Sequence, residues 1–323
     1  MNKQQLLLVI NPISGTSKKE GLADVVSQRI LSSLRKEVDV KITTKKGDAY
    51  QFACEAVEKG YYGVIAVGGD GTINEVATAL CNSDVVLGII PTGSGNGLAR
   101  HLDIPIDVKR SLDVICKNNV RPFDFATVNG TPFFCTFGVG FDAAVSERFS
   151  KQGKRGKFMY VKSIIEEYKK YNTQVYTIKV DDKILTEDAF IVTCCNASQY
   201  GNNAYIAPSA SMTDGLLDVV IIHKGSPFDV AALGFDLFTG YINKSTLLQS
   251  FKAANVVISR TQDGPAHVDG DPMIVENVMD IKCHHSGLKI FVPKKQHKHF
   301  YPIITPLTHV WGDMCIALSK VFK

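Results

Sequence analysis

The feature that most constrains this sequence is a short apolar run that ends in three glycines around one carboxylate. Residues 64–67 are followed by Gly68-Gly69-Asp70-Gly71-Thr72, and apolar residues at 73, 76, 77 and 80 then recur at helical spacing. This order predicts a buried strand, a glycine-rich turn and a helix. Such a turn lets backbone N–H groups approach an anion closely, and the helix adds the positive end of its dipole. A phosphate group is the ligand that this arrangement favours.

Asp70 is the unusual member of this turn, because a carboxylate beside phosphates is repelled unless a cation or a proton transfer requires it. Mg²⁺ is commonly bound by one or two carboxylates together with the phosphates of a substrate. The turn therefore indicates chemistry on a nucleotide with Mg²⁺. The alternative is an ordinary strand-to-helix turn in which Asp70 caps the helix.

Three further strand ends in the first part of the chain carry similar loops of small polar residues. Strands are expected at 6–10, 38–43, 64–67 and 86–90, and their loops at 11–15, 44–49, 68–72 and 91–100. Helices between these strands favour a parallel sheet. Ligands bind such sheets at the carboxyl ends of the strands, so the four loops are expected to converge on one site.

Beyond about residue 123 the pattern changes to short strand-like runs that are separated by turns. Strands are expected at 133–137, 176–180, 190–193, 217–222, 256–258 and 279–282, and helices at about 158–171 and 227–248. Many short strands with few helices between them favour an antiparallel β domain. The predicted organisation is an α/β domain over 1–125, a β-rich domain over 126–293 and a tail over 294–323.

Composition agrees with a globular protein of two domains. The 323 residues are 45% hydrophobic and 21% charged, and the formal net charge is +4, which does not favour nucleic acid as a partner. The eight cysteines form no C-x-x-C pair, and no signal peptide or apolar run of about 18 residues is evident. A reducing cytoplasm is the expected compartment.

An ordered series of motifs resembles the diacylglycerol kinase catalytic family, which includes bacterial lipid kinases and the sphingosine and ceramide kinases. The series is NPISG at 11–15, the segment 43–49, GGDGTINE at 68–75, PTGSGNGLAR at 91–100, GVGFDA at 138–143, APSASMTDGLLDV at 207–219 and HVDGDP at 267–272. NAD kinases share the GGDGT element but lack the first and last motifs. The resemblance covers residues 4–293. It implies an α/β domain with a parallel sheet, as in NAD and diacylglycerol kinases, followed by a mainly antiparallel β-sandwich.

The resemblance also implies an ATP site on the loops of the first domain, with Mg²⁺ as the cofactor. Asp70 would help to organise catalytic Mg²⁺, directly or through water, while Glu75 is open to a packing or a functional role. Phosphoryl transfer requires positioning and charge neutralisation, which glycine loops can supply. The residues implied to contact ATP are Asn11, Pro12, Ile13, Ser14, Gly15, Thr43, Gly68, Gly69, Asp70, Gly71, Thr72, Ile73, Asn74, Ser94 and Asn96.

The motif at 267–272 supplies the candidates for the catalytic base. A carboxylate within hydrogen-bond reach of a lipid hydroxyl can accept its proton as the new P–O bond forms. Asp269 and Asp271 flank Gly270 and can divide the work between a base and an anchor for metal or water. Family members usually have D-G-E here, and the acid after glycine, commonly assigned as the proton acceptor, maps onto Asp271. Which of the two is the base is left open, and a plain hairpin turn is the alternative.

Two further sites are implied by the resemblance. In bacterial members the region 207–219 binds a structural Mg²⁺, which here implies the Asp214 carboxylate with the carbonyls of Ser211 and Leu216, although a plain turn is the alternative. Many diacylglycerol kinases have an aspartate where this chain has Gly97, and the loop looks more like that of sphingosine kinases. A long-chain base carries an ammonium that needs a carboxylate partner, for which Asp142 is a candidate.

The implied function is transfer of the γ-phosphate of ATP to a hydroxyl of diacylglycerol or of a sphingoid long-chain base. Basic residues within 148–157 suit an anionic membrane surface, and an ordinary solvated basic loop is the alternative. The apolar tail suits an interfacial anchor, packing on the N-terminal domain or a homodimer contact. The expected location is the cytoplasm, with peripheral association at the inner face of the membrane. A regulatory lipid-binding protein without catalysis and a soluble small-molecule kinase are the alternatives.

Overall fold

The computed structural model describes residues 4–15, 21–152, 168, 171–180 and 183–294. Most of the helix predicted at 158–171, the side chains of the basic segment 148–157 and the tail after residue 294 lie outside this part of the chain. Within the described residues, no helix is both long enough and apolar enough to cross a membrane.

The first part of the chain is an α/β unit with a parallel sheet, as predicted. Its elements are β1 (Gln5–Ile10), α1 (Leu22–Leu34), β2 (Glu37–Ile42), α2 (Asp48–Glu58), β3 (Gly63–Gly68), α3 (Asp70–Leu80), β4 (Val86–Pro91), α4 (Gly97–His101) and α5 (Val108–Cys116). The strands pair in parallel in the order β2-β1-β3-β4. All residues of β3 and β4 are buried, because helices cover both faces of a parallel sheet. The four predicted strands are confirmed to within one residue at each end.

The second part is a β-sandwich, which confirms the predicted fold class. Its elements are β5 (Val120–Val128), β6 (Thr131–Phe133), β7 (Thr136–Gly140), α6 (Phe141–Gln152), β8 (Gln174–Val180), β9 (Lys183–Ala189), β10 (Ile191–Cys195), β11 (Leu217–Ile222), α7 (Pro227–Thr239), a 3₁₀ turn (Ile242–Lys244), β12 (Leu248–Ala253), β13 (Asn255–Ser259), β14 (Gly264–Val268), β15 (Asp271–Val275) and β16 (Val278–Phe291). One layer is a six-stranded antiparallel sheet in the order β12-β11-β10-β7-β14-β15. It packs on the antiparallel part of the larger sheet through a buried core that includes Phe137, Tyr176, Val192 and Ile281.

Two predicted elements differ from the observed ones for local reasons. The helix predicted at 227–248 ends at Thr239, because Gly240 takes the left-handed backbone (φ 74°) that terminates helices. The strand predicted at 133–137 is interrupted after Phe133. The N–H groups of Phe134 and Cys135 donate to the carboxylate of Asp269 instead of to a neighbouring strand.

The long strand β16 joins the two halves of the molecule. Its first part pairs with β13, while Ile290 near its end lies beside Leu87 of β4 in a parallel arrangement. One ten-stranded sheet therefore runs through both halves. The register with β5 shifts between His284 and Leu288. The sequence predicted only residues 279–282 as strand, because the polar run 284–287 interrupts the apolar pattern. The boundary predicted between 125 and 126 falls inside β5.

Candidate active site

Asp70, the first residue of α3, holds the loop that follows β4. Its Oδ2 accepts a hydrogen bond from the N–H of Asn96 at 2.8 Å, and its Oδ1 accepts one from the N–H of Gly97 at 2.8 Å. The Asn96 side chain is almost fully buried and bonds the backbone of Gly93 twice, accepting from N–H at 3.0 Å and donating to the carbonyl at 2.8 Å. The amide of Asn96, predicted to contact ATP, therefore shapes the loop from inside.

The glycine loops approach one another more closely than side chains would permit. A Cβ on Gly15, which has φ 76°, would lie 2.2 Å from the carbonyl oxygen of Thr92. A Cβ on Gly93 would lie 2.7 Å from Cα of Gly69. The hydroxyl oxygens of Ser14 and Thr92 lie 2.7 Å apart. The loops after β1, β3 and β4 consequently form one backbone-lined surface, which suits an anion.

The other residues predicted to contact ATP fall into two groups. Pro12, Ile13 and Ser94 are exposed on the loops, Gly71 is exposed in the first turn of α3, and Ile13 is 85% exposed. Thr43, Gly68, Thr72 and Ile73 are buried; the N–H of Ile73, for example, donates to the Gly69 carbonyl at 3.1 Å. Asn11 is intermediate in exposure, and its amide nitrogen donates to the Thr72 hydroxyl at 2.9 Å. The buried members build the loops that present the exposed ones.

Asp269 is anchored by four donors that come from both halves of the molecule. Its Oδ1 accepts from the N–H groups of Cys135 and Thr136 at 2.7 and 2.9 Å. Its Oδ2 accepts from the N–H of Phe134 at 2.9 Å and from the amide nitrogen of Asn74 in α3 at 3.0 Å. Burial raises the pKa of Asp269 to about 6, while the three backbone donors act in the opposite direction. The sequence predicted Asn74 as an ATP contact; the structure places its amide on Asp269.

Asp271 has a different environment, although it lies only two residues away. Asp269 and Gly270 both have left-handed backbone (φ 50° and 87°), as a two-residue type I′ hairpin turn between β14 and β15 requires. Asp271 follows this turn, and its side chain is 71% exposed. One carboxylate oxygen lies 3.7 Å from Nζ of Lys46, in the loop after β2. The turn thus holds one carboxylate in place and leaves the other open to the solvent.

The loop after β2 is braced by two carboxylates. Oε1 of Glu75 in α3, a residue whose role the sequence left open, accepts from the N–H of Gly47 at 2.9 Å. Oδ2 of Asp48 accepts from the N–H of Thr44 at 2.7 Å, from its hydroxyl at 2.8 Å and from the N–H of Lys45 at 3.0 Å. These hydrogen bonds, led by those from Thr44, lower the pKa of Asp48. The loop backbone is therefore fixed on both sides of residue 46.

Asp142, predicted as a substrate contact, lies in a polar cluster at the start of α6. Its Oδ2 lies 2.9 Å from the hydroxyl of Thr193, 3.1 Å from that of Tyr200 and 3.0 Å from Nε2 of His267. Its Oδ1 accepts from the N–H of Ala143 at 2.8 Å. Burial is the largest of the causes that raise the pKa of Tyr200 well above its usual value, which keeps this hydroxyl protonated as a donor. Three side chains thus already surround one oxygen of this carboxylate.

The implied structural Mg²⁺ site carries a lysine. Oδ2 of Asp214 lies 2.8 Å from Nζ of Lys252, which also lies 3.1 Å from Oδ2 of the buried Asp218. Oδ1 of Asp214 accepts from the N–H of Leu216 at 3.2 Å, and the Ser211 hydroxyl pairs with that of Thr213. One carboxylate with nearby carbonyls suits a hard cation in kind. Here Asp214 shares the ammonium of Lys252 with Asp218.

No group of three or more His, Cys, Asp or Glu side chains is arranged to hold a metal ion in the part of the chain that the structure describes.

The sequence reasoning missed two residues near these sites. One is Asp124, which is fully buried and accepts hydrogen bonds from the N–H groups of Gly215 and Ser286, both at 2.7 Å. Its position in the otherwise apolar run 123–126 could have indicated a buried carboxylate that needs partners. Lys46 had no such signal, because its neighbour Lys45 looks the same in the sequence.

Comparisons with known proteins agree with this architecture. Residues 5–128 match the family model of the diacylglycerol kinase catalytic domain, and residues 135–291 match that of the YegS C-terminal NAD kinase beta sandwich-like domain. A diacylglycerol kinase of Staphylococcus saprophyticus is 26% identical, with 90% of this chain and 96% of that protein covered. One of Bacillus subtilis is 29% identical, with 82% and 88% covered. A crystal structure of a diacylglycerol kinase from Bacillus anthracis shares the fold, with a TM-score of 0.70, 21% identity and coverage of 90% and 97%.

Proposed function

Because the chain belongs to the diacylglycerol kinase catalytic family, we propose that it is an ATP-dependent lipid kinase that phosphorylates a lipid hydroxyl. The observation that carries this proposal is the hydrogen bond from Asn74 to Asp269. It joins the helix after the glycine turn to the aspartate-glycine-aspartate hairpin of the second half. An acidic group that can accept a proton is thereby held beside loops that suit phosphates.

Within this proposal, Asp271 is the base and Asp269 is its anchor. A carboxylate offers about four lone-pair positions, and four donors already occupy those of Asp269. Asp271 is exposed and can approach a hydroxyl. As the lipid oxygen bonds to the γ-phosphorus, its proton passes to Asp271. The bond from that phosphorus to the β,γ-bridging oxygen breaks, and ADP leaves with the electron pair.

Asp70 is the residue best suited to Mg²⁺ in this proposal. When bound, Mg²⁺ would neutralise charge on the β- and γ-phosphates. Each oxygen of Asp70 accepts one backbone hydrogen bond, from Asn96 or from Gly97, and keeps a further lone pair for the metal or a water molecule on it. The same carboxylate therefore shapes the loop after β4 and can face the cation.

Diacylglycerol is the acceptor that we propose. It is the acceptor in the names of the relatives from Staphylococcus saprophyticus and Bacillus subtilis. Three side-chain donors already share Oδ2 of Asp142, which leaves only Oδ1 for an ammonium and makes this carboxylate a weaker partner for a long-chain base. A long-chain base remains the second candidate on the strength of the loop 93–97. The enzyme would reach either lipid by peripheral association with a membrane, and a cytoplasmic enzyme would bind its inner face.

Transfer of labelled γ-phosphate to lipids in mixed micelles tests this proposal. The panel contains diacylglycerol, sphingosine, dihydrosphingosine, ceramide and undecaprenol, with Mg-ATP as donor. We expect label in phosphatidic acid, and far less of it with the Asp271→Asn variant. Label in a sphingoid phosphate would move the assignment to a long-chain-base kinase. ATP binding without any labelled lipid would favour the regulatory alternative, and labelling of a water-soluble acceptor without micelles would favour a soluble kinase.

A further inference from the structure

Lys46 lies opposite the proposed base. It belongs to the segment 43–49 of the motif series, but the sequence indicated no role for it. We propose that Lys46 is a further catalytic residue, whose ammonium binds the transferred phosphoryl group and pairs with Asp271 when no nucleotide is present. This inference rests on the lipid kinase activity proposed above. Four features carry it: the position of the side chain, its freedom to move, the bracing of its loop and the charge of its surroundings.

Lys46 links the loop after β2 to the hairpin that carries the proposed base. Its Nζ lies 3.7 Å from Oδ2 of Asp271, so the loop after β2 reaches the hairpin between β14 and β15. The two side chains are 87% and 71% exposed, respectively, and both are free to change partners. An exposed ion pair of this kind contributes little to stability, so its loss on ligand binding costs little. The pair is suited to a contact that forms and breaks during turnover.

The backbone around Lys46 is fixed although its side chain is not. The N–H of Lys45 donates to Asp48, and the N–H of Gly47 donates to Glu75 in α3. α3 also supplies Asn74 to the hairpin that carries the proposed base. A long flexible side chain therefore starts from a defined point. Lys45 differs, because its charge helps to lower the pKa of Asp48 within the same loop.

The charges around the cleft favour a cation at this point, in addition to the proposed Mg²⁺. Three carboxylates, those of Asp70, Asp269 and Asp271, lie on the elements that surround the site, and ATP adds its phosphates. A base that accepts the proton of the attacking hydroxyl must lie close to the γ-phosphorus. An ammonium 3.7 Å from that base is within a side-chain movement of the γ-phosphate oxygens. Cations that meet the charge of the transferred group are a main source of catalysis in phosphoryl transfer.

The proposed exchange involves no proton transfer by the lysine. When ATP binds, the ammonium moves from Asp271 to the non-bridging oxygens of the γ-phosphate. Asp271 is then free to accept the proton of the lipid hydroxyl, while the bond to the β,γ-bridging oxygen breaks and ADP leaves. The ammonium carries the same charge before and after the step. Lys46 would thus couple the presence of ATP to the availability of the base.

The test compares Lys46→Met with Lys45→Met, a matched change of the adjacent exposed lysine. We expect Lys46→Met to lower kcat on diacylglycerol micelles about 100-fold. Lys46→Arg should recover part of that loss, and Lys45→Met should stay within about twofold of the wild type. The Tm of Lys46→Met should remain within about 2 °C, because exposed ion pairs contribute little to stability. A kcat for Lys46→Met equal to that of Lys45→Met would overturn the inference.

A binding measurement separates this inference from the proposed function. Calorimetry of ATP and ADP, without any lipid, should show that Lys46→Met loses about tenfold in its preference for ATP over ADP, because a charge-assisted contact to the γ-phosphate is removed. Affinity for ADP should not change, and Lys45→Met should keep the preference of the wild type. An unchanged preference in Lys46→Met would contradict the inference whether or not the protein phosphorylates lipid. A wild type that binds ATP but phosphorylates no lipid would contradict the proposed function alone.

Discussion

The amide of Asn74 donates a hydrogen bond of 3.0 Å to Oδ2 of Asp269, a residue 195 positions away in the chain. Asn74 lies in the first turns of the helix that begins at the glycine turn, and Asp269 opens the hairpin turn that carries the second carboxylate. The remaining bonds of Asp269 go to the backbone of residues 134–136. This contact therefore sets the distance between the glycine loops and the hairpin.

Removal of the Asn74 amide should misplace this hairpin. Asn74→Ala leaves Asp269 with its backbone donors only, and we expect a loss of about 1 kcal/mol in the free energy of unfolding. Because misplaced reacting groups cost rate steeply, kcat should fall by at least about tenfold. Urea denaturation and micelle kinetics measure the two effects. Asn74→Asp should lower the unfolding free energy and kcat further, since it places two carboxylates next to each other. A wild-type kcat in both variants would contradict the role of Asn74 in positioning the hairpin.

The neutral form of His101 should make stability depend on pH. Burial lowers the pKa of His101 to about 4 from 6.5, and its Nδ1 accepts the N–H of Ser198 at 3.1 Å, which requires an unprotonated nitrogen. Between these two pKa values the unfolded chain binds the proton and the folded protein does not. The free energy of unfolding should therefore fall as pH drops from about 6.5 to about 4, by up to about 3 kcal/mol.

Denaturation of the wild type and of His101→Gln across this pH range checks the prediction. Glutamine can accept the same hydrogen bond but does not titrate in this range. The difference in unfolding free energy between the two proteins should change with pH in favour of the variant as the solution becomes more acidic. A difference that stays constant between pH 6.5 and pH 4 would show that His101 does not titrate as described.

Two glycines beside the site should respond differently to the same substitution. A Cβ on Gly138 would lie 2.3 Å from Oδ2 of Asp142 and 2.4 Å from Nε2 of His267, so Gly138→Ala must push this pair apart. A Cβ on Gly97 would meet its neighbours, including Cys135 Sγ and the Tyr200 carbonyl, at 3.4 Å or more, which is ordinary contact. We expect Gly138→Ala to lose about 1–3 kcal/mol of unfolding free energy, and Gly97→Ala to be nearly neutral. Thermal denaturation of both variants decides this; equal Tm values would contradict it.

The parallel half of the fold was readable from the sequence because its signals are local. Strands β1, β3 and β4 are short apolar runs, as buried strands of a parallel sheet show. Strand β2 instead alternates charged and apolar residues and contains no buried residue, but like the others it ends in a small polar loop. Strand β16 could not be predicted over its whole length, because the polar run 284–287 interrupts its apolar pattern. The register shift with β5 falls in this run. The pairing of Ile290 with Leu87 depends on contacts 203 residues apart, which no local pattern records.

The sequence pointed to the glycine loops and to the two aspartates of the candidate site, but it did not distinguish the roles of Asp269 and Asp271 and did not single out Lys46. Asp269 and Asp271 have the same chemistry and flank the same glycine, so only the backbone donors of residues 134–136 and the Asn74 amide distinguish them. Asn96 looked like a ligand contact because it stands in a glycine loop, yet its amide bonds Gly93. Long-range hydrogen bonds distinguish the two aspartates, whereas the Asn96 bonds span only three residues within its own loop.

The division of labour between the two carboxylates is the central claim, and phosphate transfer by two variants tests it most directly. Asp271→Asn should reduce the transfer of labelled phosphate to diacylglycerol micelles by about 10²–10⁴-fold. It should leave Tm unchanged, because the side chain is exposed, and it should not weaken ATP binding, because a negative charge near the phosphates is removed. Asp269→Asn should also lower the free energy of unfolding, since its amide nitrogen would face backbone donors. Wild-type transfer by Asp271→Asn, with loss of transfer in a stably folded Asp269→Asn, would contradict the account and make Asp269 the base.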